Sequence, residues 1–163
     1  MHWIIAVMIA ALLSVGFYMA GMDPSDEKFA LYSMHKSSGI IAFVLILIRI
    51  CVRMFSEIPQ LPSKISTFEV RIASFGVFVF YVIMLIMPIS GYVMSMASGH
   101  PINLFNSGIM IPDLVGSNNR LASLALCVHE FGAFALISMI MLHILAALKH
   151  FFFDKINLFS RVI

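Results

Sequence analysis

The sequence predicts an all-α integral membrane four-helix bundle, and three observations predict it. Of its 163 residues, 61% are hydrophobic and only 11% are charged, where a soluble domain carries about 25% charged residues. Mean hydropathy is +1.03. Four apolar stretches each reach the roughly 20 residues needed to cross a hydrocarbon core about 30 Å thick. Inside lipid the backbone must satisfy its own hydrogen bonds, so each stretch is a helix. The net charge of +2 is too small to point to nucleic acid.

The first stretch, residues 3–22, carries no charge and has no Lys or Arg before it. It reads as a retained helix, because a secretory signal has a basic leader and a shorter apolar region. The second, residues 31–55, holds an unbroken apolar run from 40 to 48. The third, residues 72–96, contains Pro88 and Gly91, and the fourth covers residues 121–153. Connector 23–28 is short and acidic, and connector 56–70 carries Pro59 and Pro62. Connector 97–120 is the longest, rich in Gly, Pro and Asn, and is expected to form a partly ordered lid outside the membrane. Residues 1–163 form one transmembrane domain, with no repeat or low-complexity tract.

Four crossings place both termini on one side. Arg49, Arg53, Lys64, Arg71, Lys149, Lys155 and Arg161 gather on that side, against Lys28, Lys36 and Arg120 on the other. Positively charged loops stay inside, so both termini are expected in the cytoplasm of a cell bounded by this inner membrane. Cys51 and Cys127 then fall near opposite faces, too far apart to bond. No CxxC or CxxCH occurs, which disfavours thiolate zinc sites and covalently attached haem.

Six histidines occur, five of them in or at the ends of predicted helices, where ionisable groups are costly. His129 and His143 are 14 residues apart on the last helix, about 21 Å along its axis and only roughly 40° from the same direction. By depth, His129 finds His35 near the outer surface and His143 finds His2 near the inner one. Two pairs of imidazoles therefore stack along the membrane normal. Two facing imidazoles suit a six-coordinate haem iron, which favours electron transfer, and bundle cores build such sites from facing helices. Two b haems are the cofactors this pattern calls for.

Arg49 follows His35 by the same 14 residues and lies at the inner level. Arg49, Arg53 and, at the outer level, Lys36 are candidates for haem propionates, since guanidinium forks bind carboxylates bidentately; the alternative is that the arginines snorkel to headgroups. His150, seven residues after His143, reads as a propionate or quinone contact or as a surface residue. His100 sits in the outer loop, where a surface role is favoured. Ser38, Gly39 and Gly132 leave room for a flat macrocycle or simply let helices approach. The 13 methionines are scattered, and core filling accounts for them better than copper. A haem-free transporter or metal-binding protein using the same histidines is the competing class.

The motifs resemble those of the bacterial cytochrome b561 family, which is related to the cytochrome b subunits of nickel hydrogenases. They are His2-Trp3, Met34 to Ile40 (MHKSSGI), Arg49 to Arg53 (RICVR), Tyr81 with Pro88 to Gly91 (PISG), His129-Glu130, and Leu142 to Lys155 (LHILAALKHFFFDK). The resemblance runs in order over nearly the whole chain. It implies four helices, two b haems, ligands at His2, His35, His129 and His143, and electron exchange with ubiquinone. Some members look like superoxide oxidases, which take an electron from superoxide outside and pass it to quinone, and His150 matches a position near such a quinone site. A chain without soluble domains either works alone or anchors a dehydrogenase or hydrogenase partner. One departure is that only Met1 precedes His2, where the family usually has a longer lead-in.

Overall fold

The computed structural model describes residues 1–56 and 65–157. Four helices account for most of them: α1 (His2–Ala20), α2 (Asp26–Phe55), α3 (Thr67–Ala97) and α4 (Asn119–Phe152). Each is long and apolar enough to cross a membrane, as an all-α membrane bundle requires. Lys64 and Arg161, used above for orientation, and Pro59 and Pro62 of the second connector lie outside the described residues.

Two helices start earlier than their apolar stretches do, for a local reason. The Ser25 hydroxyl accepts from the Lys28 amide at 3.2 Å, and Asp26 and Glu27 stand in the first turn, where acidic side chains complement the helix dipole. The acidic connector is thus partly the first turn of α2. At α3, Ser66 and Glu69 form a capping box, which satisfies two of the orphan amides that every helix start exposes. Asn118 caps α4 through the Leu121 amide at 3.0 Å.

The helices associate as two hairpins. α3 and α4 pack along each other most extensively, α1 lies on α2, and α2 also meets α3 and the far loop. One buried residue from each helix (Ile5, Ile46, Met84 and Leu136) forms the central apolar cluster. Between α1 and α4 the packing is looser. A cavity of about 280 Å³ lies there, lined by Leu13, Ser14, Phe17, Ile137, Ile140 and Met141. Large side chains elsewhere on the helices, among them Val7, Phe78, Phe131 and Leu145, are exposed; in a spanning bundle these face lipid.

The loop between α3 and α4 is ordered. A short hairpin with a bridge between Asn103 and Met110 contains a single 3-10 turn, Leu104–Asn106. The Tyr92 hydroxyl donates to the Pro112 carbonyl at 2.7 Å and accepts from the Leu114 amide at 3.0 Å. Asp113 accepts from the Val115 and Gly116 amides, both at 2.9 Å, and these bonds hold its carboxyl below the usual range. Cys51 and Cys127 are both free and exposed.

Candidate metal centres

The bundle brings the four helix histidines together in two pairs. His35 of α2 faces His129 of α4 with ring centres 6.3 Å apart. His2 of α1 faces His143 of α4 with ring centres again 6.3 Å apart. Imidazole nitrogens bind transition metals at about 2 Å, and with each ring centre about 1 Å further back, rings sharing one ion sit about 6 Å apart. Both pairs stand at that spacing. They lie at the two levels that the 14-residue step on α4 dictates.

The far pair, on the side away from the termini, has the more complete surroundings. His129 Nδ1 donates to the Met87 carbonyl at 3.0 Å and lies 3.1 Å from Ser90 Oγ. The Ser90 hydroxyl in turn donates to Met87 O at 2.9 Å. A carbonyl can only accept, so the proton of His129 sits on Nδ1 and Nε2 keeps its lone pair. That is the arrangement by which second-shell groups orient a metal-binding histidine. Pro88 belongs to the same stretch. Its missing N–H removes one helical bond, to the Met84 carbonyl, from the backbone of α3.

Glycines make room for both far-side rings. A Cβ on Gly91 would lie 3.1 Å from His129 Cε1, and one on Gly16 would lie 3.3 Å from His35 Cε1. Each hairpin thus supplies one histidine backed by a glycine of its partner helix. Sequence reasoning named Gly39 and Gly132, with Ser38, as room for a macrocycle or for helix packing, and neither glycine backs a histidine ring. A Cβ on Gly39 would meet nothing within 4 Å, and the space beside Gly132 is already taken by Met87 Sδ at 2.6 Å. Ser38, with His35, lines an apolar crevice of about 720 Å³ between α1 and α2. Ser90, Gly91, Met87 and Gly16 went unassigned. The PISG motif was a signal for two of them, but a local motif does not say which ring it will meet across the bundle. His35 Nδ1 is buried and has no hydrogen-bond partner among the described residues.

The near pair is plainer. The Phe80 ring lies edge-on to His143 at 5.6 Å, and Trp3 meets His2 edge-on at 5.3 Å. Arg49 is close enough for its charge to be felt at His2, so it does reach the near level. Arg53 is exposed and lies over the Tyr81 ring at 5.8 Å. Lys36 Nζ reaches toward the His100 carbonyl at 3.5 Å. His100 itself is exposed in the far loop.

His150 is not an isolated surface group. Its Nδ1 lies 2.6 Å from Asp154 Oδ2, and Lys149 pairs with both Asp154 and Glu69. Glu69, His150 and Asp154 present their ligand atoms within 4.8 Å of one another. Lys149 already supplies the cation between the carboxylates, so this group is a clasp joining the start of α3 to the end of α4.

The donor set and its surroundings fit b-type haem. The imidazoles face each other at a six-coordinate spacing, one has its tautomer fixed, and two glycines stand where any side chain would crowd the rings. A model of the prokaryotic cytochrome b561 family matches residues 1–163. The chain is 27% identical over 163 residues to cytochrome b561 homolog 2 of Escherichia coli K12, covering 99% of this chain and 86% of that protein. It is likewise 27% identical over 161 residues to the Yersinia pestis protein named "Probable superoxide oxidase CybB", covering 99% and 90%. With cytochrome b561 homolog 1 of Escherichia coli K12 the identity is 24% over 166 residues, covering 99% and 92%.

Proposed function

The chain belongs to the prokaryotic cytochrome b561 family, and on that premise we propose that it passes single electrons from superoxide on one side of a bacterial inner membrane to ubiquinone on the other. Membership makes it a multi-pass membrane cytochrome of the b type, working in electron transfer. The proposal adds two haems and the residues that hold them. His35 and His129 hold the far haem, and His2 and His143 hold the near one. The two facing histidine pairs carry this reading.

Held by two histidines each, the haems would supply one-electron redox chemistry, which suits relay over oxygen activation. The remaining roles belong to the chain. The Met87 carbonyl and Ser90 keep His129 in the tautomer that presents Nε2. Arg49 at the near level is the candidate partner for a propionate, where a guanidinium fork matches a carboxylate. Lys36 at the far level and Arg53 near Tyr81 are weaker candidates, as both already have protein contacts. His150, with its Nδ1 proton engaged by Asp154, is left with an Nε2 lone pair that can accept a hydrogen bond from a reduced quinone. The termini face the cytoplasm by the excess of basic residues on their side. The superoxide donor is suggested by the name of the Yersinia relative. A haem-free transporter built on the same histidines is disfavoured by the family.

The test uses purified protein in vesicles containing ubiquinone, supplied with an enzymatic source of superoxide. Quinol should form at a rate set by the protein, and His129→Ala should abolish it. Haem reduction by dithionite with no quinol from superoxide would refute the donor and acceptor. Activity restored only by a co-purified dehydrogenase or hydrogenase would make the chain an anchor subunit.

A further inference from the structure

The far loop carries an apolar surface that the electron-transfer reading does not use. Its hairpin leaves Ile109 61% exposed and Phe105 and Met110 each 51% exposed. No Asp, Glu, Lys or Arg occurs between 97 and 112. A connector in water would ordinarily carry some of these charges.

The hairpin lies alongside α2 rather than above it. The fully buried Ser37 accepts from the Phe105 amide at 2.8 Å, and its hydroxyl lies 3.5 Å from the Asn103 carbonyl. Ser33 donates to Asn106 Oδ1 at 3.0 Å. α2 has 30 residues, about 45 Å, so centring it on a core about 30 Å thick leaves about five residues in each headgroup layer. Ser33 and Ser37 then stand about 4 and about 10 Å inside the hydrocarbon edge, and the hairpin is held at that depth.

The hairpin's backbone is suited to such a place. The Leu104 amide donates to Ile109 O and the Ile111 amide to Ile102 O, both at 2.9 Å. The Gly108 amide donates to Asn103 Oδ1 at 2.9 Å. Non-helical backbone at membrane depth needs such internal partners. Phe105 and Asn106 adopt φ of 49° and 56°, a left-handed conformation that is unusual for a bulky residue. The two bonds to α2 hold them there, with the Phe105 ring half exposed.

We propose that the 102–111 hairpin is an interfacial anchor whose Phe105, Ile109 and Met110 side chains insert into the outer edge of the lipid leaflet on the far side. Lipid is favoured over a protein partner by the depth, by the absence of charge, and by continuity with the lipid-facing helices. Anchoring fixes the loop that Lys36 and Ser37 touch, beside the far histidine pair. The inference does not depend on the haem assignment.

Thiol accessibility tests it. Cys51→Ser and Cys127→Ser give a background in which Ile109→Cys, Phe105→Cys or, as a reference in the exposed far connector, Asp23→Cys is added singly. Each variant is reconstituted alone in phosphatidylcholine vesicles. A charged, membrane-impermeant maleimide should react with the hairpin thiols at least about tenfold more slowly than with the Asp23 variant, since a charged reagent is kept out of the apolar layer by the cost of desolvating it. A neutral, lipid-partitioning maleimide should label them readily. Hairpin thiols as reactive as the reference toward the charged reagent would overturn the anchor and leave a water-facing surface for a protein. Slow reaction with both reagents would also overturn it, by showing burial against protein.

Discussion

At the scale of single residues, the far histidine pair is positioned by groups that are not themselves proposed ligands. Met87 O and Ser90 Oγ settle which nitrogen of His129 is protonated, and Gly91 settles where its ring can stand. Gly91→Ala is expected to push the ring aside and cost the far haem, leaving about one haem per chain where the proposal has two. The pyridine haemochrome assay measures this. Ser90→Ala removes an acceptor from the His129 N–H and so weakens its donation to ferric iron. Potentiometry should find the far haem's potential raised by up to about 59 mV, a tenfold change for a one-electron couple, with the near haem unmoved. The histidines themselves were legible in the sequence because a 14-residue step on a helix is a statement about depth and direction. Ser90 and Gly91 were not, because their partner belongs to another helix and the bundle's rotation decides the meeting.

Among the elements, the ends are where sequence and structure part most. Hydropathy located the spans, but α2 and α3 start earlier because capping side chains extend a helix beyond its apolar stretch. The clasp between α3 and α4 was likewise invisible, since Glu69 and Lys149 are far apart in sequence and each looks like an ordinary interfacial charge. Its bond from Lys149 holds the Asp154 carboxyl below the usual range, with His150 adding to the effect. A lowered folded-state pKa means that the contact helps above the ordinary carboxylate range and is lost as pH falls through the depressed value. Protection against hydrogen exchange in the last turn of α4, taken relative to intrinsic rates, should therefore fall on acidification below that ordinary range. Glu69→Gln keeps the capping box but removes the carboxylate that Lys149 reaches across to, so it should show weakened protection at both ends already at neutral pH. An unchanged profile in that variant would mean that the clasp does not hold these ends together.

Over the whole molecule, two hairpins joined mainly through α2 and α3 leave looser packing between α1 and α4, and the histidine pairs bridge α4 to α1 and to α2. That layout was readable to the level of pairs, because four spans and matched depths allow few arrangements. Its looseness was not, because hydropathy does not distinguish packed apolar faces from open ones. It makes a global prediction. Cofactor binding joins the hairpins, so protein produced without haem should unfold at a lower temperature than the loaded form, in proportion to the binding it forgoes. The measurement that bears most directly on the central claim is the haem count of the detergent-purified chain by pyridine haemochrome, taken with reduced-minus-oxidised spectra of His129→Ala and His143→Ala. The account predicts two b haems per chain and about one in each variant. A single haem in the unsubstituted chain, or variants that keep both, would contradict it.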